Sequence, residues 1–161
     1  MTDINSLDFK TFLAKAADDI FDTMLSMKIE PSDEVSAKVN ENNRIVGSVG
    51  FAGEVMGCMN IHVGYNFARI IAGAMLGEEA TDVEEEEVLD VVGELSNMIG
   101  GDVKSRLCDA GMNCSLSIPT TTAGTDFTIE TQGWSRHERL AIQSDRHVAV
   151  VEVYLKLNNS K

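Results

Sequence analysis

The segment 90–101 constrains the fold more than any other part of the chain, because its polar and apolar residues follow a helical period. Asp90, Glu94 and Asn97 are spaced four and three residues apart, so in a helix they lie above one another on successive turns. Large apolar residues follow another face with the spacing of a core-facing stripe, namely Leu89, Val92, Leu95, Ile99 and Val103. We therefore predict a helix with one polar face and one buried face.

Three glycines, Gly93, Gly100 and Gly101, are assigned to the polar face by the same spacing. An interior glycine costs a helix about 1 kcal/mol relative to alanine, so three of them on one face call for a reason. One interpretation is that a partner approaches the helix backbone closely while a carboxylate and a carboxamide reach out beside it. The other is that the glycines permit tight packing against another helix of the same chain. Spacing alone leaves both open.

Length and charge limit the classes of protein to consider. With 161 residues, the chain is predicted to form a single domain, residues 1–161, that needs no disulfide or metal to fold. The net charge of −13 argues against a nucleic-acid partner, because phosphate binding depends on clustered Lys and Arg. There is no signal-peptide pattern and no apolar window long enough to span a membrane, so we expect a soluble protein without membrane insertion.

The cysteines and histidines show no metal-binding or disulfide pattern. Three cysteines without CxxC spacing are more typical of a reducing compartment than of a secreted framework, so a cytoplasmic location is expected. The histidines do not form a ligand motif such as HExxH, so no metal site of its own is expected. The residues concerned are Cys58, Cys108, Cys114, His62, His137 and His147.

Hydrophobic periodicity gives an order of helices and strands. Helices are predicted at residues 8–27, at 65–76 with Gly77 as the stop, and from 84 to about 108–111. Strands are predicted at 35–39, 44–51, 54–63, 114–118, 126–132, 139–144 and 147–157, the first two joined as a hairpin by a turn at 40–43. Residues 120–124 and 143–146 are predicted to be connections.

This order resembles one α+β unit given twice. The predicted fold class is therefore α+β, with a pseudo-repeated helix/strand unit and a mostly antiparallel sheet packed against helices. In such a repeat, Asp19 and Asp22 of the first helix take the places of Glu94 and Asn97. Only the second copy then carries a Glu and Asn pair.

The chain resembles the CheC, CheX and FliY family of bacterial chemotaxis phosphatases, which dephosphorylate the response regulator CheY. The resemblance rests on Asp90, Glu94, Asn97 and Pro119, on the Gly-Glu-Leu-Ser-Asn-Met-Ile-Gly-Gly run, on Ser117-Ile-Pro119, and on the length and element order of most of the chain. A single Glu and Asn pair with a strand-rich tail looks most like the CheX branch, since CheC typically carries the pair in both halves. The Asp19 and Asp22 pair is then a lapsed or never-active site.

The resemblance implies a mechanism in which the partner supplies most of the chemistry. An aspartyl phosphate in a receiver domain already has Mg²⁺ and a Lys, and lacks only a water held in line for attack, so this protein needs no cofactor of its own. Asn97 is expected to orient that water through its carboxamide, and Glu94 to pair with the receiver Lys. Gly93, Gly100 and Gly101 are expected to clear space for the receiver, and Asp90 to lie at the rim of the contact. Pro119 is expected to shape the fold.

A second hypothesis is a non-catalytic adaptor that binds a receiver or a flagellar switch protein through the same acidic face. A free-standing small-molecule hydrolase is disfavoured, because the sequence has no nucleophile elbow, Walker loop or metal cluster. The resemblance also implies a homodimer. The apolar alternation of residues 147–157 suits either an interface edge or a strand within the chain's own sheet.

Overall fold

The helices follow the sequence prediction closely. The computed structural model describes residues 3–32 and 43–158, and within these ranges the α-helices are α1 (Phe9–Leu25), α2 (Tyr65–Leu76) and α3 (Glu85–Asp109). Short 3-10 helices lie at Ile4–Ser6 and Ala80–Asp82. Asp8 caps α1 by accepting a hydrogen bond from the Thr11 amide, and Gly77 ends α2 in the left-handed conformation.

The strands confirm most of the prediction and correct two parts of it. The strands of the described ranges are β1 (Glu30–Pro31), β2 (Arg44–Gly53), β3 (Val55–Gly64), β4 (Cys114–Leu116), β5 (Thr120–Gly124), β6 (Arg136–Ser144) and β7 (His147–Leu157). Residues 126–132, which we predicted to be a strand, form none, and Thr120–Gly124, which we predicted to be a connection, is strand β5. The predicted strand at 35–39 and most of the turn at 40–43 lie outside the described residues.

The strands form one antiparallel sheet in the order β1-β6-β7-β3-β2-β4, and β5 also pairs with β2. The hairpins β2–β3 and β6–β7 meet at its centre. The two halves of the sheet are built in the same way. Strand β1 follows helix α1 and pairs with β6, the outer strand of one hairpin. Strands β4 and β5 follow helix α3 and pair with β2, the outer strand of the other hairpin. This arrangement agrees with the predicted α+β pseudo-repeat. Strand β7 is paired on both sides, so the interpretation of β7 as an interface edge is wrong.

The helices cover one face of the sheet and enclose the main core. Alternate strand residues point into it, and among the fully buried ones are Ile45, Met59, Ile61, Val151 and Val153. The apolar stripe of α3 faces the same core, with Val92, Leu95, Ile99 and Val103 fully buried and Leu89 packed at its margin. The predicted buried face of α3 is therefore confirmed.

The opposite face of the sheet carries a buried polar network around Glu152, which is 6% exposed. Its carboxylate lies 2.8 Å from His62 Nε2 and accepts hydrogen bonds from Asn60 Nδ2 at 3.3 Å and from the Tyr154 hydroxyl at 3.2 Å. Burial raises the pKa of Glu152, but these hydrogen bonds and the charge of His62 outweigh it and lower the pKa to about 2. The carboxylate is thus kept ionised inside the fold.

Residues 125–135 run between β5 and β6 and contact this same face. The Arg44 guanidinium lies 4.3 Å from the centre of the Phe127 ring and donates a hydrogen bond to the Phe127 carbonyl. Further along, Lys156 Nζ lies 5.2 Å from the Trp134 ring. Side-chain contacts therefore hold this segment, part of which the sequence pattern predicts to be a strand.

Candidate active site

The polar stripe of α3 is present as predicted. Asp90 and Glu94 are exposed and Asn97 is half-buried, all within one continuous helix. Within residues 3–32 and 43–158, no hydrogen bond or ion pair engages the side chains of these three residues. A carboxylate and a carboxamide one turn apart are therefore available to an external group.

The three glycines of α3 do not share one face, which corrects the prediction. Gly101 has no atom within 4 Å of the position that a methyl group would take, so it lies open beside the polar stripe. Gly93 and Gly100 are both buried. A methyl group at Gly100 would lie 2.5 Å from Val49 Cγ2, and one at Gly93 would lie 3.4 Å from Thr121 Cγ2. Gly100 therefore allows close packing of α3 against β2, whereas a methyl group at Gly93 would make only ordinary van der Waals contact with β5. Both contacts are with strands and not with a second helix.

Close packing of α3 on strand β2 also involves residues that the sequence reasoning missed. A methyl group at Gly47 would lie 2.9 Å from both Ser96 Oγ and the Val92 carbonyl oxygen, so only glycine fits at this point of β2 without displacement. Ser96 is fully buried and donates a hydrogen bond of 2.7 Å to the Gly93 carbonyl. No local pattern marks Gly47, because its partner is about fifty residues away in sequence.

An irregular edge strand flanks the stripe. The Ser117 amide donates to the Gly50 carbonyl at 2.9 Å, and the Gly50 amide donates to Ser117 Oγ at 2.7 Å, which extends the pairing of β4 with β2 by one residue. The pairing resumes at Thr120, opposite Ser48. Two residues, Ile118 and Pro119, therefore lie opposite Val49 alone, which is a β-bulge.

Pro119 packs on α3 as a structural residue. A methyl group at Gly93 would lie 4.0 Å from Pro119 Cβ, so the bulge meets the helix between Asp90 and Asn97. Proline has no amide proton, which suits it to a bulge where no ladder hydrogen bond is made. The predicted role of Pro119 in shaping the fold fits this position.

The first-helix pair is placed differently from Glu94 and Asn97. Asp19 Oδ2 lies 3.3 Å from Arg106 Nη2 of α3, and Arg106 Nε also donates to Asp102 at 3.0 Å. Asp22 is exposed, and in the predicted repeat it takes the position in α1 that corresponds to Asn97 in α3. The first helix thus presents one carboxylate in an ion pair and has no counterpart of Asn97.

Histidines and cysteines occur outside the α3 stripe. His62 and His137 lie 2.8 Å and 3.5 Å from the Glu152 carboxylate, and His147 stacks on Phe67 with 5.2 Å between ring centres. The three cysteines are free thiols. In the described ranges, no three His, Cys, Asp or Glu side chains are grouped so that they could hold a metal ion. The helices there include none that is both long and apolar enough to cross a membrane.

Comparison with known families settles the relationship of the chain. The family model described as chemotaxis phosphatase CheX matches residues 45–145, which is more than half of the sequence. The chain belongs to the CheX family. The matched range contains the whole of α3, with its polar stripe, and the bulge at Ile118 and Pro119. The resemblance inferred from the sequence is confirmed.

Solved structures of CheX proteins share the fold. The chemotaxis protein CheX from Vibrio vulnificus is 25% identical, with a TM-score of 0.79 over 93% of this chain and 97% of that one. CheX from Borrelia burgdorferi, solved with CheY, BeF3 and Mg²⁺, is 22% identical, with a TM-score of 0.71 over 92% and 98%. Thermotoga maritima FliY is more distant, at 17% identity and a TM-score of 0.64 over 88% and 83%. A search among curated protein sequences found no match.

Proposed function

We propose that this CheX-family protein is a phosphatase that hydrolyses the aspartyl phosphate of a CheY-type receiver domain. The observation that carries the proposal is the stripe on α3, where Glu94 is exposed and without a partner in the described chain, one turn from the half-buried Asn97. The Borrelia burgdorferi relative was solved as a complex of CheX with CheY, BeF3 and Mg²⁺, which supports a receiver as the partner. The Mg²⁺ of the reaction then belongs to the receiver.

Asn97 acts on the attacking water. Its carboxamide oxygen accepts a hydrogen bond from the water while the amide nitrogen donates to a neighbouring acceptor, which holds the water in line with the phosphorus. A carboxylate at this position would repel the developing charge on the phosphoryl group. Since phosphoryl transfer depends mainly on positioning and electrostatics, this chain needs to supply no nucleophile.

Glu94 holds the two proteins in register. Its exposed carboxylate pairs with the active-site Lys of the receiver through a charge-assisted hydrogen bond. Asp90, one turn earlier and also exposed, lies at the rim of the contact. Gly101 supports close approach, because the surface of α3 is open there. Gly93 and Gly100 face the chain's own strands, and Gly100 contributes indirectly by allowing α3 to pack closely on β2.

The test is the lifetime of a phosphorylated receiver from the same organism, with this protein, with Asn97→Ala and with Glu94→Ala. We expect the wild-type protein to shorten the lifetime, Asn97→Ala to bind the receiver but lose acceleration, and Glu94→Ala to bind more weakly. Circular dichroism checks that both variants fold. Acceleration that survives in Asn97→Ala would refute the assigned mechanism.

The adaptor hypothesis makes a different prediction in the same assay. An adaptor binds the receiver through Glu94 and Asp90 and leaves the lifetime of the phosphoryl group unchanged. The carboxamide of Asn97 favours catalysis, because binding alone has no special need for that group. Binding without acceleration for every receiver of the organism would favour the adaptor.

We also propose a homodimer, by analogy with the family. Its interface cannot use β7 as an edge, because β7 is paired on both sides. Among the described residues, one edge of the sheet is formed by β1 together with the part of β6 that β1 does not pair, and the other edge is formed by β4 and β5. Light scattering after size-exclusion chromatography measures the mass in solution, and a mass near 17.5 kDa at all concentrations would refute the dimer.

A further inference from the structure

Ile118 is an unusually exposed apolar side chain. It is 83% accessible, compared with 48% for Met24 and 42% for Leu76, the other large apolar side chains exposed in the described ranges. A single exposed apolar residue is ordinary on a soluble protein, so exposure alone carries no functional meaning. Its setting in the fold is what sets Ile118 apart.

The backbone holds Ile118 rigidly on both sides. On one side, Ser117 is fixed to Gly50 by a reciprocal pair of hydrogen bonds of 2.9 and 2.7 Å, and Ser117 Oγ also lies 3.1 Å from the Ile118 carbonyl. On the other side, Pro119 packs at Gly93 and Thr120 resumes the pairing with β2. The Ile118 side chain therefore extends from a backbone that is held by hydrogen bonds and packing, and not from an unsupported loop.

The bulge directs the Ile118 side chain to solvent. In an unbulged strand, Ile118 would lie opposite Val49, whose side chain is buried beneath α3 and 2% exposed. The extra residue lets Pro119 take the place beside Gly93, and Ile118 turns outward. A hydrophobic side chain that regular pairing would bury is thus exposed to solvent, next in sequence to Pro119, which lies against α3 at Gly93.

We propose that Ile118 is an apolar binding contact for the receiver domain, packing on an apolar patch beside its phosphorylation site when Glu94 and Asn97 enter. This inference rests on the proposed function. The α3 stripe offers two carboxylates and one carboxamide. Because the chain has a net charge of −13, electrostatic attraction adds little affinity for a partner surface that is itself acidic, whereas an apolar contact does not depend on charge. The cores of protein interfaces are depleted of charged residues, and a few buried anchor side chains supply most of the binding energy. A β-branched side chain on a fixed backbone loses little conformational entropy on binding.

The test compares Ile118→Ala, Ile118→Asp and Ile118→Leu with Met24→Ala, a matched control on α1. Dephosphorylation is measured over a range of phosphorylated receiver concentrations, and calorimetry measures binding to the receiver activated with beryllium fluoride. For Ile118→Ala we expect a rise of about tenfold in KM and in Kd, or about 1.4 kcal/mol, with kcat within twofold of wild type. Ile118→Asp should raise KM and Kd further, Ile118→Leu should keep both constants near their wild-type values, and Met24→Ala should change neither constant.

The outcomes separate this inference from the proposed function. If wild type accelerates dephosphorylation and Ile118→Ala and Ile118→Asp leave KM and Kd unchanged, the Ile118 contact is refuted and the phosphatase stands. If wild type binds without acceleration and Ile118→Ala weakens binding, the contact stands and the phosphatase fails. If wild type does not bind any receiver, both are refuted. Thermal unfolding of each variant confirms that the fold is retained.

Discussion

Adjacent glycines on α3 provide a sharp test of how the helix is seated. Gly100 and Gly101 have the same residue type and the same secondary structure, but their surroundings differ. A methyl group at Gly100 would lie 2.5 Å from Val49 Cγ2, 3.5 Å from Leu116 Cδ1 and 3.7 Å from Met59 Cε. A methyl group at Gly101 would have no neighbour within 4 Å. Alanine at the two positions should therefore have opposite effects on stability.

The expected magnitudes follow from two terms. Replacing an interior helical glycine with alanine contributes about 1 kcal/mol of stability at either position. At Gly101 this gain stands alone, so the melting temperature should rise by about 2–4 °C. At Gly100 the gain is offset by overpacking of about 1–3 kcal/mol, because Val49 is buried and β-branched and cannot swing away freely. Gly100→Ala should therefore be about 1 kcal/mol less stable than wild type.

Urea denaturation followed by circular dichroism measures both changes on the same scale. The difference between Gly101→Ala and Gly100→Ala should be about 2 kcal/mol, with Gly101→Ala the more stable. Equal stabilisation by both variants would refute the close approach of α3 to β2. The activity of Gly101→Ala then reports separately on whether the receiver approaches the helix at that point.

Two further predictions concern residues outside the stripe. Since the folded pKa of Glu152 is about 2 and its ordinary value is 4.5, its ionised form stabilises the fold above pH 4.5. That contribution, about 3 kcal/mol, is lost as the pH falls toward 2. Urea denaturation at pH 7 and pH 3 should show a smaller acid-induced loss in Glu152→Gln, and an equal loss would contradict the network. Asp19→Asn should change stability by less than about 1 kcal/mol, since the carboxylate is 60% exposed, and should leave dephosphorylation unchanged. A slower rate in that variant would indicate a working site on α1.

The sequence predicted helices better than strands for a physical reason. Hydrophobic periodicity and helix caps are local features of the sequence. They are therefore sufficient to predict the end of α2 at Gly77 and the polar and apolar faces of α3. In residues 126–132, the sequence alternates as it does in a strand. The structure shows the same alternation in burial, since Phe127, Ile129 and Thr131 are half-buried and their neighbours are exposed. Alternation reports which side chains are buried, and this segment has that pattern without pairing its backbone.

The candidate site was predictable in part. Asp90, Glu94 and Asn97 follow from helical spacing, and the family resemblance supplied their roles. The buried positions of Gly93 and Gly100 depend on contacts with Thr121 and Val49, which lie in distant strands. The exposure of Ile118 depends on the register of two strands against β2, and a one-residue shift in register has no local signature.

In the proposed mechanism, Asn97 makes this protein a phosphatase rather than a binding module. The most direct measurement is phosphate release from a phosphorylated receiver saturated with wild-type protein or with Asn97→Ala. Saturation removes any difference in affinity, so only the rate of the chemical step is compared. We expect fast release with wild type and, with Asn97→Ala, a rate equal to that of the receiver alone. Equal acceleration by both proteins would refute the role of Asn97 in the chemical step.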